Sequence, residues 1–272
     1  MAEQPGAELL ARINNLHVPH GQIALWSLGQ SGFAIKGGTT IAYIDPYLSG
    51  TMPRRRIPVP IQPSAISNAH VVFATHEHLD HADPNTLGPL LQASPAATLV
   101  TSQQGSAIMR QAGVDAARIV VPRIGERVEL AGLHYTAIPA GHYEYEVDEV
   151  GRARWMGFLI DCNGVTIYHS GDTILFPELL QALDGTTIDI ALLPTNGRDF
   201  FREEHDIVGN LWPQEAVQLA DRIGAKVLIG THNDMFAGNR LPSGMLYDAR
   251  DQFAPNLRCH TLQAGELYLY AG

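Results

Sequence analysis

Residues 71–81 read VVFATHEHLDH. A short apolar stretch, Val71–Ala74, runs into His76-Glu77-His78-Leu79-Asp80-His81. With 12 histidines and 15 aspartates in 272 residues, H-x-H-x-D-H has a chance expectation of roughly 0.001 per chain, so coincidence is a poor account of it. At the end of a strand, side chains alternate, which points His76 and His78 the same way and lets two imidazoles take adjacent positions on one cation. Asp80 and His81 follow in the turn and can face a second cation. Glu77 is expected to point away to an outer partner and Leu79 to pack. Imidazoles with a carboxylate suit Zn²⁺, Mn²⁺ or iron better than Ca²⁺ or Mg²⁺.

Six neighbouring residues cannot complete two coordination shells, so further ligands are expected at later strand ends. Leu133–Ile138 runs into Pro139-Ala140-Gly141-His142, Val165–Tyr168 into His169-Ser170-Gly171-Asp172, and Lys226–Gly230 into Thr231-His232-Asn233-Asp234. Each is an apolar run delivering a ligand type at its C-terminal end, where open sheets place their sites.

Further strands are predicted at Ile23–Leu28, Phe33–Lys36, Ile41–Ile44, Thr98–Thr101, Met156–Ile160, Ile188–Leu193 and Leu267–Tyr270. Several are continuously apolar, as in strands covered on both faces. Helices are predicted from Pro84, capped by Asp83, to about Gln92, over Gln103–Gln111 and over Pro213–Ile223. Early strands come as hairpins and later ones alternate with helices, which predicts an α/β (α+β) chain of face-to-face sheets with helices outside. No linker divides residues 1–272, which read as one domain. The four prolines of Gly50–Ser64 make it either a structured excursion at a site mouth or a plain surface loop.

The histidine, aspartate and histidine motifs, in this order over nearly the whole chain, resemble those of the metallo-β-lactamase-fold hydrolases. The resemblance implies an αββα sandwich of two mixed sheets with the site between them. It implies that His76, His78 and His142 hold a first metal, that Asp80, His81 and His232 hold a second, and that Asp172 bridges them. Tyr168-His169-Ser170-Gly171-Asp172-Thr173, Trp26-Ser27-Leu28-Gly29, Asn196-Gly197-Arg198-Asp199 and Thr231-His232-Asn233-Asp234 are similar to the branch containing L-ascorbate-6-phosphate lactonase.

Two divalent ions, Zn²⁺ or Mn²⁺ with iron as a further fit, would bring the pKa of a shared water to about 7 and supply hydroxide without a serine or cysteine nucleophile. Asp80 and Asp172 are the expected catalytic carboxylates, with Asp80 orienting the hydroxide and returning a proton. His169 is expected to hydrogen-bond a ligand from outside the coordination shell. Asn196, Arg198, Asp199 and Tyr143 are candidates for substrate contact, Arg198 by holding a carboxylate or phosphate through paired hydrogen bonds. Arg54, Arg55 and Arg56 read as a surface charge run or a phosphate clamp, and Asp45-Pro46 as a turn or a neighbour of the metals. The expected reaction is opening of a polar or phosphorylated sugar lactone. A phosphodiesterase on a small nucleotide and a non-catalytic metal-binding protein are the alternatives.

Lys+Arg is 18 against 28 Asp+Glu, a net charge of −10, which argues against long nucleic acids as partners and leaves a small anionic molecule. Two cysteines exclude a disulfide scaffold. The lack of an apolar signal core or membrane-length run gives an expected cytoplasmic protein without membrane contact. Trp212 and Phe236 could serve a homo-oligomer interface or a pocket wall.

Overall fold

The computed structural model describes residues 6–53 and 55–272; Arg54 of the basic triplet lies outside the described residues. Two seven-stranded sheets form. The first has the order β14-β1-β2-β3-β4-β5-β6, built from β1 (Ile23–Gly29), β2 (Gly32–Gly37), β3 (Thr40–Ile44), β4 (Val71–Ala74), β5 (Thr98–Thr101), β6 (Ile119–Val120) and β14 (Leu267–Tyr270). The second has the order β13-β12-β11-β10-β9-β8-β7, built from β7 (Arg127–Leu130), β8 (Leu133–Pro139), β9 (Met156–Cys162), β10 (Val165–His169), β11 (Ile190–Pro194), β12 (Val227–Thr231) and β13 (Arg258–Thr261). Within each sheet, three neighbouring pairs are antiparallel and three parallel, so both are mixed.

Alternation explains why these strands are apolar on both faces. In β1, Ile23 and Leu25 face the second sheet, where they join Phe33, Phe73, Tyr135, Phe158 and Ile167. Ala24 and Trp26 face outward, under α1 (Ala7–Asn15) and α2 (Pro84–Ala93). A matching outer core lies beneath α4 (Pro177–Leu183), α6 (Pro213–Arg222) and α7 (Gly244–Phe253). The result is the expected αββα sandwich. Helix caps follow the sequence: Asp83 accepts from Asn85 N–H at 3.0 Å to open α2, and Ser102 from Gly105 N–H at 3.1 Å to open α3 (Gln103–Gln111). The hairpin from β9 to β10 turns at Asn163-Gly164, both with positive φ, which suits a two-residue turn.

Strand direction fixes where the site falls. β1, β3 and β4 run the same way, so Gln30, Asp45 and His76 leave the first sheet at one edge. β8, β10 and β12 likewise run together, so His142, Asp172 and His232 follow strand ends on one edge of the second sheet.

Candidate metal centre

The two edges bring the seven expected side chains together. Ligand atoms of His76, His78 and His142 lie within 4.8 Å of one another, as do those of Asp80, His81 and His232. Asp172 stands between the groups: Oδ1 is 3.3 Å from His81 Nε2, while Oδ2 is 3.1 Å from His232 Nε2 and 3.9 Å from His142 Nε2.

Strand alternation does not explain the pairing of His76 with His78. β4 ends at Ala74, and the chain turns at once, with His81 and Ala82 N–H donating to the His78 carbonyl at 2.9 and 2.8 Å. The two rings meet at 4.6 Å because of that turn. It is anchored by Asp45, fully buried with φ 43°, which accepts from Thr75 N–H and Thr75 Oγ1, both at 2.8 Å. Asp45 Oδ2 also lies 2.7 Å from His81 Nδ1, and Thr75 Oγ1 3.0 Å from His76 Nδ1. Each contact takes up Nδ1 and leaves Nε2 as the nitrogen that faces the cluster. Asp45 is therefore a neighbour of the centre. Gly171, with φ 61°, lets the second sheet approach, since a Cβ there would come within 2.8 Å of Thr75 Cβ.

The donor set fits divalent cations. Nε2 of His76 and His81, both ring nitrogens of His142, and Asp172 Oδ1 are buried with no hydrogen-bond partner. Such orphaned groups are costly unless something else satisfies them. Burial holds His76 well below the usual imidazole range and pushes His142 down to about 4, which keeps their lone pairs available. Burial also acts to lower His81 and His232, but Asp172 with Asp45 and Asp80 outweighs it: His81 rises well above its ordinary value and His232 to about 10. The same negative potential would attract a metal ion. Burial acts to raise Asp80 and Asp172, and the facing imidazoles overcome it, holding both carboxyls low and ionised.

Gln30 went unnoticed in the sequence. Its amide Nε2 donates to Asp80 Oδ2 at 2.8 Å and lies 3.0 Å from His232 Nε2. Its backbone N–H donates to Asp234 Oδ1 and its carbonyl accepts from His232 N–H, each at 2.9 Å. Gln30 and His232 both occupy the left-handed region, at φ 56° and 58°. Each costs about 1 kcal/mol or more. The only signal was its place in Leu28-Gly29-Gln30-Ser31-Gly32, between two apolar strands.

His169 differs from expectation. It hydrogen-bonds no candidate ligand side chain; Nε2 donates to the Ser31 carbonyl at 2.8 Å and Nδ1 accepts from Gly171 N–H at 3.0 Å. It ties the backbone beside Asp172 to the backbone beside Gln30. Glu77 turns away as expected, to Arg154 Nε at 2.6 Å. Leu79 does not pack inside: it is 39% exposed and lines the cavity over the cluster.

That cavity, about 590 Å³, is also lined by Met52, Pro53, Asp206, Ile207, Val208 and Phe236. The proline-rich excursion thus reaches the site mouth. Asn196, Arg198, Asp199 and Tyr143 do not line it. Arg198 gives Nη1 and Nη2 to Glu215, each at 2.7 Å, so the fork expected to grip an anion is already filled. Asp199 caps α5 (Phe200–Glu203) and pairs with Arg202, Asn196 bonds Asn239, and Tyr143 is exposed. Arg55 is engaged by the carbonyls of Tyr47, Ser49 and Ile57, and Arg56 is exposed.

The beta-lactamase superfamily domain matches residues 40–233. A UPF0173 metal-dependent hydrolase of Alkaliphilus metalliredigens is 32% identical over 212 residues, 77% of this chain and 84% of that one. A second, of Methanoculleus marisnigri, is 29% identical over 218 residues, covering 78% and 82%. The chain belongs to the beta-lactamase superfamily and, within it, to the UPF0173 metal-dependent hydrolases. Its fold is shared with Igni18, a metallo hydrolase from Ignicoccus hospitalis, at a TM-score of 0.69 and 21% identity over 92% of this chain and 98% of that one.

Proposed function

We propose that this metal-dependent hydrolase opens lactones or closely related carboxylic esters, with two divalent cations, Zn²⁺ or Mn²⁺, held by the seven clustered residues. His76, His78 and His142 would hold one ion, Asp80, His81 and His232 the other, and Asp172 both. The observation that carries this reading is the set of buried, unpartnered Nε2 and carboxylate atoms converging from both sheets. When bound, the cations supply Lewis acidity and bring the pKa of water toward neutrality. Asp80, whose carboxylate lines the cavity, is placed to take a proton from the attacking water and return it to the ring oxygen as the acyl–oxygen bond breaks. Gln30 holds that carboxylate through Oδ2.

The lactone is the part of the resemblance that this chemistry supports. The sugar phosphate is not, because Arg198 is taken by Glu215. The test is metal analysis beside hydrolysis of a simple lactone followed by acid release. About two equivalents of metal, loss of turnover on chelation and recovery with Zn²⁺ or Mn²⁺ are expected. Turnover that survives complete metal removal, or a metal-replete protein inert on every lactone, sinks the reading.

A further inference from the structure

The wall facing the metal cluster carries Met52, Leu79, Ile207, Val208 and Phe236. Among the described residues no lysine or arginine lines the cavity, and the one charged side chain on that wall is Asp206. From this lining we propose that the arm of the substrate that fills the cavity is uncharged and apolar: the acceptor is a neutral lactone or ester carrying a hydrocarbon substituent. The proposal rests on the metal-hydrolase reading for the position of the reacting group and names the class of molecule attached to it.

Three observations support it. Leu79 sits between four polar neighbours yet is 39% exposed, so its apolar surface has no partner within the protein and gains one when a hydrocarbon enters. Phe236 is held as a wall rather than left free: its backbone bridges to Arg55, and its ring lies 6.3 Å from that of Tyr47. The charge on that wall is negative: Asp206 lines it with no lysine or arginine beside it among the described residues, so a phosphate or carboxylate arm entering there is disfavoured.

Calorimetric titration of the Zn²⁺-reconstituted protein with n-alkyl hydroxamates from two to eight carbons separates this inference from the reaction on which it rests, because it reads binding alone. Affinity should rise about three- to fourfold per methylene until the cavity is filled. A hydroxamate of equal length ending in a phosphonate should bind at least tenfold more weakly than its alkyl counterpart. The rise per methylene should fall to about half in Leu79→Asn, at a position exposed enough for the fold not to depend on it. Met52→Ser is a second variant with the same expectation. A flat chain-length series, or tighter binding of the phosphonate, overturns the proposal. A steep series in a protein that hydrolyses no lactone leaves the apolar arm standing and removes the lactone chemistry instead.

Discussion

Asp45 Oδ2 sits 2.7 Å from His81 Nδ1, on the side of the ring away from the cluster. The carboxylate fixes the tautomer, and through Thr75 it also fixes His76. Asp45→Asn should therefore weaken metal binding by about 10- to 100-fold, the range for lost outer partners of ligating histidines. Competition titration against a chromophoric chelator reads this directly. Unchanged affinity would show that the ring needs no such support.

Gln30→Ala removes the amide that grips Asp80 while leaving the backbone pairings of residue 30 to His232 and Asp234 in place. Of the two ions proposed above, one should bind about tenfold more weakly and the other should be little changed. Gln30→Glu places a third carboxylate beside Asp80 and should instead raise the affinity for divalent ions. Stepwise metal titration distinguishes the two variants.

Arg198→Ala breaks a half-buried ion pair with Glu215 at the start of α6. It should cost about 1 kcal/mol in denaturant unfolding and leave KM for a neutral lactone within about twofold. A large rise in KM with unchanged stability would restore Arg198 as a substrate contact.

Asp189 accepts from Lys226 Nζ at 2.8 Å, Thr166 N–H at 2.9 Å and Tyr270 Oη at 2.9 Å. Burial acts to raise its carboxyl, and these donors hold it below its ordinary value. A carboxyl depressed in the folded state stabilises fully above the ordinary carboxylate range, and that contribution is lost as pH falls through the range and below it. Asp189→Asn should cost about 2 kcal/mol at pH 7, and the gap to the parent protein should be smaller at pH 3. Urea unfolding at both pH values tests this.

Chelation should lower the melting temperature of the parent protein, because metal binds only the folded form, by an amount set by about 2.7 kcal/mol at 100 times Kd. His76→Ala and Asp172→Ala should lose metal while keeping their far-ultraviolet circular dichroism. Metal content equal to the parent in either variant contradicts the ligand assignment.

Central strands and the histidine motifs were readable because burial on two faces writes continuous apolar runs and coordination writes rare residue types. Edges were not. β7 alternates exposed and half-buried residues as Arg-Val-Glu-Leu, β13 is Arg-Cys-His-Thr, and β6 is two residues long. Each has one unpaired side, so nothing forces an apolar run. β11 starts at Ile190 rather than Ile188 because Asp189 leaves the strand to bond Lys226, Thr166 and Tyr270. Gln30 and Asp45 escaped or stayed ambiguous because an amide or a carboxylate beside a turn looks like an ordinary turn residue. Their role comes from a shared sheet edge, which sequence spacing does not encode. Arg198 misled in the other direction: its partner Glu215 lies 17 residues on, in a different element.

Each triad of donors is divided between the two sheets. His76 and His78 hang from one leaf and His142 from the other; Asp80 and His81 face His232 in the same way. A cation in either triad would clasp the leaves across their seam. Stripping the ions should therefore loosen the clasped edge of this book before its interior, with amide exchange quickening first around Thr75, Gly171 and Gln30 and last along β9 and β10.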